Sequence, residues 1–232
     1  MTGTSKWIDI DGDEGAFGAY LALPRSGSGP GIVLLQEIFG VNEHIRSVAD
    51  QYAADGYVVL APDLFWRQGH RIALGYGDAD WQRAVELKGA TKLNQAQADV
   101  RATVKTLRAL PGVGPKVASQ GYCWGGLLSY HAAADGLVDA AVAYYGGGIQ
   151  NALDRADDIR IPLMLHYGGK DKHIPRDAIS KVVERFDGND NVEIHLYAEA
   201  EHGFNCSHRD SYHQQSAALA HGYTLLFLSQ ML

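Results

Sequence analysis

Residues 121–126 read Gly-Tyr-Cys-Trp-Gly-Gly and hold one of only two cysteines in a chain of 232 residues. The run before them, KVASQGY (116–122), is β-like and apolar. The run after them, GLLSYHAA, is helical. Glycines two residues to either side of Cys123 allow a sharp strand-to-helix turn, with the central side chain standing at the carboxyl end of the strand. A thiol there lies at a helix N-terminus, whose dipole favours the thiolate. The amide of Trp124 points to the same place and is suited to receive a developing oxyanion. A small apolar cysteine buried at a turn would give the same six letters, so the reading depends on partners elsewhere in the chain.

A cysteine nucleophile needs a base within hydrogen-bond reach, and the base needs an orienting group. In an open sheet these come from later loops at the carboxyl ends of strands. Asp171 follows the apolar run IPLMLHYGGKD, and His202 follows VEIHLYAEAEHGF, so both fall at strand ends. Of ten histidines, His166 and His195 lie inside strand patterns and His131 in the helix after the turn. His202 alone has the required place. Asp171 is also an ordinary turn residue in its Gly-Gly-Lys-Asp setting; the ordered set of three carries the reading. Glu37, at the end of GIVLLQE (31–37), is a further carboxylate whose strand is expected near the sheet centre, facing the same crevice as Cys123. Zinc is the competing chemistry: HGFNCSHRDSYH offers His202, Cys206, His208 and His213. Their spacing fits no common zinc pattern, so no metal is expected.

These residues need elements to hold them. Short apolar runs at 31–37, 57–63, 116–122, 139–147, 161–171 and 192–200 read as strands covered on both faces. Helical patterns run between them: from an Asn42 cap to Ala54, 94–110, 175–186 and 212–228. Strands alternating with helices imply an α/β fold, a mostly parallel central sheet with helices on both faces. The start differs. Trp7–Asp11 and Ala16–Leu23, split by Asp11-Gly12 and Gly15, read as an antiparallel hairpin at the sheet edge. Residues 64–93 have the weakest periodicity and are expected to form an excursion or cap over the site.

The length suits one domain, 1–232, with one core. Apolar residues make up 46%, charged residues 20%, and the net charge is −7. That balance, without a basic run, argues against nucleic acid or an anionic membrane as partner. No apolar leader and no run of membrane-spanning length is present. With two cysteines, a cytoplasmic location and free thiols are expected.

The motifs QEIFGVN (36–42), APDLF (61–65), GYCWGG, AVAYYGG (141–147), GGKD (168–171) and EHGF (201–204) together resemble the dienelactone hydrolase family, the carboxymethylenebutenolidases, over nearly the whole chain. The resemblance implies a single-domain α/β-hydrolase fold, no cofactor, and a small-molecule ester or lactone substrate cleaved through a thioester acyl-enzyme. It implies Cys123 as nucleophile, His202 as base and then acid, and Asp171 as orienter. Glu37 would help to generate the thiolate, the amides of Ile38 and Trp124 would form the oxyanion hole, and Tyr144 or Tyr145 would line the pocket. A monomer or small homo-oligomer is expected. One departure stands out. Where the family places a carboxylate-binding arginine four residues after the histidine, this chain has Cys206, leaving Arg209 or Arg83 as candidates. An esterase or thioesterase of other acyl specificity is the alternative. If its loop brings Cys206 close to Cys123, oxidation could link the two sulfurs, which intact mass before and after reduction would settle.

Overall fold

The computed structural model describes residues 3–232. The chain divides into two compact units, one ending at Ala118 and the other starting at Ser119.

The first unit holds β1 (Thr4–Gly12), β2 (Gly15–Leu23), β3 (Gly29–Leu35), α1 (Glu43–Ala54), β4 (Val58–Pro62), α2 (Asp78–Ala90), α3 (Leu93–Ala109) and the start of β5 (Val113–Tyr122). Its strand order is β1-β2-β4-β3-β5. β1 and β2 form the antiparallel hairpin that the sequence predicts, with Gly12 opposite Gly15 and Trp7 opposite Tyr20. β2 continues antiparallel onto β4, and β3 runs parallel to β4. α1 begins where its cap requires: Asn42 Oδ1 accepts from the Ile45 amide at 3.2 Å, a contact worth about 1 kcal/mol. Its buried face carries Ile45, Val48, Ala49 and Tyr52, the stripe expected from their spacing.

The second unit starts with the end of β5 and adds α4 (Trp124–Ala134), β6 (Ala140–Tyr144), 3₁₀ turns at Ile149–Asn151 and Leu153–Asp158, β7 (Leu163–Gly168), α5 (Arg176–Phe186), β8 (Val192–Tyr197) and α6 (Gln214–Met231). The order is β5-β6-β7-β8, with β6–β7 and β7–β8 parallel. Completely buried Ala141, Val142, Leu163 and Leu165 show why these strands read as continuous apolar runs. α6 is capped by His213, whose side chain accepts from the Ser216 amide.

The departures are local. β6 stops at Tyr144 because Tyr145 takes φ 38° and leaves the extended region. β7 stops at Gly168, which puts Asp171 in a loop. The 64–93 segment is not irregular throughout: it contains the 13-residue helix α2, in which only Ala84 and Leu87 are buried. Two buried positions give no detectable stripe. The segment is anchored by Arg67, which reaches Asp99 with two hydrogen bonds at 2.6 and 3.1 Å, and by Trp66 Nε1 donating to the same carboxylate at 3.0 Å. No helix among the described residues is long and apolar enough to cross a membrane.

Candidate active site

Cys123 is the one residue between β5 and α4, and its backbone has φ 54° and ψ −115°, a conformation that L-residues rarely adopt. Three contacts hold the turn. The Cys123 amide donates to the Tyr144 carbonyl at 3.0 Å, and the Cys123 carbonyl accepts from Gly126 and Leu127 at 3.0 and 3.3 Å. A Cβ on Gly121 would lie 1.9 Å from the Gly125 carbonyl oxygen, and one on Gly126 would lie 2.8 Å from Gly146 Cα. Backbone occupies both spaces, so the glycines of the motif are demanded by close approach. Gly121→Ala is expected to destabilise the protein by more than about 3 kcal/mol, since it must shift main chain. Urea unfolding checks this. The sulfur is half-buried, and Cys123 and Cys206 are both thiols, not joined in a disulfide. Trp124 opens α4, where first-turn amides point out of the helix end.

Asp171 and His202 sit on the loops after β7 and β8. Asp171 Oδ1 accepts from the amides of His173 and Ile174 at 2.7 and 2.9 Å, which fixes the carboxylate. Its Oδ2 meets His202 Nδ1 at 2.7 Å. The two loops come together because Gly168 and Gly169 let them. A Cβ on either would lie 2.6 Å from the carbonyl oxygen of Ala200 or Ala198 respectively. Lys170 and Glu199 pair across the same loops at the surface. The Cys123 sulfur lies close enough to act on the His202 imidazole and favour its charged form. The structure therefore brings together three of the expected residues, in the order sulfur, imidazole, carboxylate.

Burial opposes a charge on His202. The adjacent Cys123 sulfur and the hydrogen bond to Asp171 overcome it and raise the imidazole to about 10. The folded value lies above the unfolded one, near 6.5. The imidazolium's contribution to folding is therefore complete below about pH 6.5 and is lost as pH rises through about 10. Urea midpoints are expected to fall across that window in the wild type and to stay flatter in His202→Gln, which has no proton to lose. Parallel profiles would remove the assignment.

Around the imidazole, Tyr145 lies 5.0 Å away between ring centroids at 61°, and His173 lies 4.9 Å away at 65°. Burial, and then the charge on His202, hold His173 below its ordinary range. The two candidate pocket tyrosines diverge. Tyr145 packs on His202, whereas the Tyr144 hydroxyl bonds Thr224 Oγ1 at 2.7 Å, on α6. Arg209 lies beside the site: a Cβ on Gly203 would fall 2.5 Å from its Nη1. Cys206 is completely buried. Two of the four candidate zinc ligands are committed elsewhere, His202 Nδ1 to Asp171 and His213 Nδ1 to Ser216 at the start of α6.

The remaining candidates belong to the first unit. Glu37 is buried just beyond β3, and its Oε2 accepts from the Tyr76 hydroxyl at 3.1 Å. Asn42 Nδ2 donates to the same hydroxyl at 3.1 Å. Ile38 follows, partly buried. Arg83 is exposed on α2 and paired with Glu86 at 3.0 Å. Tyr76, His173 and the loop glycines escape sequence reading. Only the Gly-Gly pair leaves a trace in composition, and its meaning depends on a loop thirty residues on.

Strands alternating with helices, a strand-elbow-helix bearing a cysteine, and loops after two later strands bearing Asp and His define an α/β hydrolase. Residues 17–232 match the Dienelactone hydrolase family. The chain is 36% identical to a carboxymethylenebutenolidase of Pseudomonas sp. (strain P51), covering 97% of this chain and 94% of that one. It is 34% identical to one of Pseudomonas putida, at 98% and 97% coverage. A crystal structure from Klebsiella pneumoniae subsp. pneumoniae MGH 78578 assigned to dienelactone hydrolase superposes with a TM-score of 0.87 at 30% identity, covering 99% of this chain and all of that one. The chain belongs to the dienelactone hydrolase family and is a hydrolase of ester or lactone bonds.

Proposed function

We propose that the chain acts as one catalytic domain, 1–232, cleaving enol-lactones or similarly activated esters by thioester catalysis without a cofactor. Support comes above all from the 2.7 Å contact between His202 Nδ1 and Asp171 Oδ2, in an imidazole whose charge the nearby Cys123 sulfur favours. The Cys123 thiolate adds to the ester carbonyl. The resulting oxyanion rests on the amides of Ile38 and Trp124. The carbonyl re-forms, the C–O bond breaks, and the imidazolium gives its proton to the departing enolate, which stays tethered when the substrate is a lactone. His202 then takes a proton from water. The hydroxide adds to the thioester, and the C–S bond breaks to return the thiolate. Delocalised enolates are good leaving groups, so sulfur suffices for them and does poorly with amides. Glu37 assists formation of the thiolate when substrate arrives, Tyr145 walls the acyl site, and Arg209, or Arg83, binds a substrate carboxylate. The setting is cytoplasmic.

Cys206, in place of the arginine expected by resemblance, supports a second reading: an esterase or thioesterase for acyl groups lacking that carboxylate. Kinetics on dienelactone, p-nitrophenyl acetate and an acyl thioester separate the two. A preference of at least about tenfold in kcat/KM for the carboxylated lactone, lost in Arg209→Ala, supports the first. Equal or better turnover of the uncharged esters supports the second. No turnover of any ester, with Cys123 reacting with iodoacetamide no faster than free cysteine, would remove both.

A further inference from the structure

We propose that β8 is a self-association edge, through which two copies of this chain pair antiparallel about a two-fold axis passing through Ile194. β8 ends the strand order, so among the described residues one side of its backbone has no strand beside it. The strand at the other end, β1, is defended by charges at Lys6, Asp9 and Asp11, the usual protection of an open edge. β8 reads Val-Glu-Ile-His-Leu-Tyr, with one formal charge, no lysine and no proline.

Backbone parity fixes which residues would pair. The Leu163 amide donates to the Asn191 carbonyl at 2.8 Å, and the Gly169 amide donates to the Tyr197 carbonyl at 2.7 Å. Odd-numbered residues of β8 therefore turn their peptide groups to β7, and Val192, Ile194 and Leu196 turn theirs outward. Antiparallel pairing joins outward groups to outward groups, so the axis must pass through a residue and not between two. Placed on Glu193 it would set carboxylate against carboxylate; placed on His195 it would set imidazole against imidazole. Placed on Ile194 it sets Ile194 against itself and Val192 against Leu196, with about six backbone hydrogen bonds. It also sets Glu193 of each copy against His195 of the other, in the closer pair where opposite polarity stabilises.

The flanking side chains match. Leu196, 50% exposed, shares a groove with Ile179 and Val183 of α5. On the opposite side of the strand, His195 stacks on Tyr223 of α6 at 4.4 Å. Leu219, Tyr223 and Leu226, all exposed, continue along a helix that has no Asp, Glu, Lys or Arg. A second copy is the occupant for which charge, parity and apolar cover agree.

Sedimentation of the full chain at tens of micromolar is expected to give a dimer, and a monomer would overturn the proposal. Leu196→Lys and Glu193→Lys alter exposed side chains that are not members of the triad. Both are expected to raise the dimer dissociation constant at least about tenfold, with circular dichroism and ester turnover unchanged. A dimer indifferent to both would overturn it. Ile194→Cys sets the register. Copies paired on that residue place the new thiols within disulfide reach, so mild copper-phenanthroline oxidation should yield a covalent dimer. Leu196→Cys, four positions from its copy along the paired strands, should not. Cross-linking at 196 and not at 194 overturns the register.

Discussion

Cys123→Ala is expected to lower kcat/KM on an activated ester by about 10⁴-fold or more, leaving only what the oxyanion donors and binding supply. Cys123→Ser should lose nearly as much. The imidazole beside the sulfur is raised to about 10 by that sulfur and by Asp171, which pairs the sulfur with a protonated imidazole. A hydroxyl is a far weaker acid than a thiol and would not hand its proton over to form that pair. The half-buried sulfur should also react with iodoacetamide faster than free cysteine, and His202→Gln should abolish the difference. Steady-state kinetics on p-nitrophenyl acetate with all three variants provides the measurement. A serine variant within tenfold of wild type would show that the site is not tuned for sulfur.

Asp171→Asn should reduce kcat by about 10³- to 10⁴-fold with little change in KM. One carboxylate oxygen is occupied by the amides of His173 and Ile174, which only an oxygen satisfies. The amide nitrogen of asparagine would then face His202 Nδ1, donor against donor. The ring would turn or adopt the other tautomer, and its remaining nitrogen would no longer serve the sulfur. The isosteric change should also lower the urea midpoint near pH 6, where the buried imidazolium loses the carboxylate that favours its charge. A loss of activity below about tenfold would show that orientation by Asp171 is dispensable.

Much of this arrangement is legible in the letters. Cys123, Asp171 and His202 fall at strand ends, and strands buried on both faces announce themselves as apolar runs. The hairpin is legible because Asp11-Gly12 and Gly15 punctuate it. The Asn42 cap is legible because short polar side chains bond helix-start amides whatever the fold. What is hidden depends on distance. α2 buries two residues and carries no period. Tyr76 reaches Glu37 from 39 positions away. Gly168 and Gly169 look like a flexible turn, yet they permit backbone of one loop to touch backbone of another. Tyr145 departs from extended geometry, and nothing in its neighbours' identities says so. Which tyrosine meets His202 follows from that departure, so the choice stays open until the structure is seen.

The elbow's backbone has an implication for how such a chain changes over time. Cys123 adopts φ 54° and ψ −115°, a geometry that glycine adopts freely and that disfavours any other residue by about 1–3 kcal/mol. Selection for heat resistance alone would drift toward glycine at this position and yield a sturdier, inert protein. Only pressure on turnover keeps the sulfur there, so a stabilised library screened without a substrate should shed its reactive centre first.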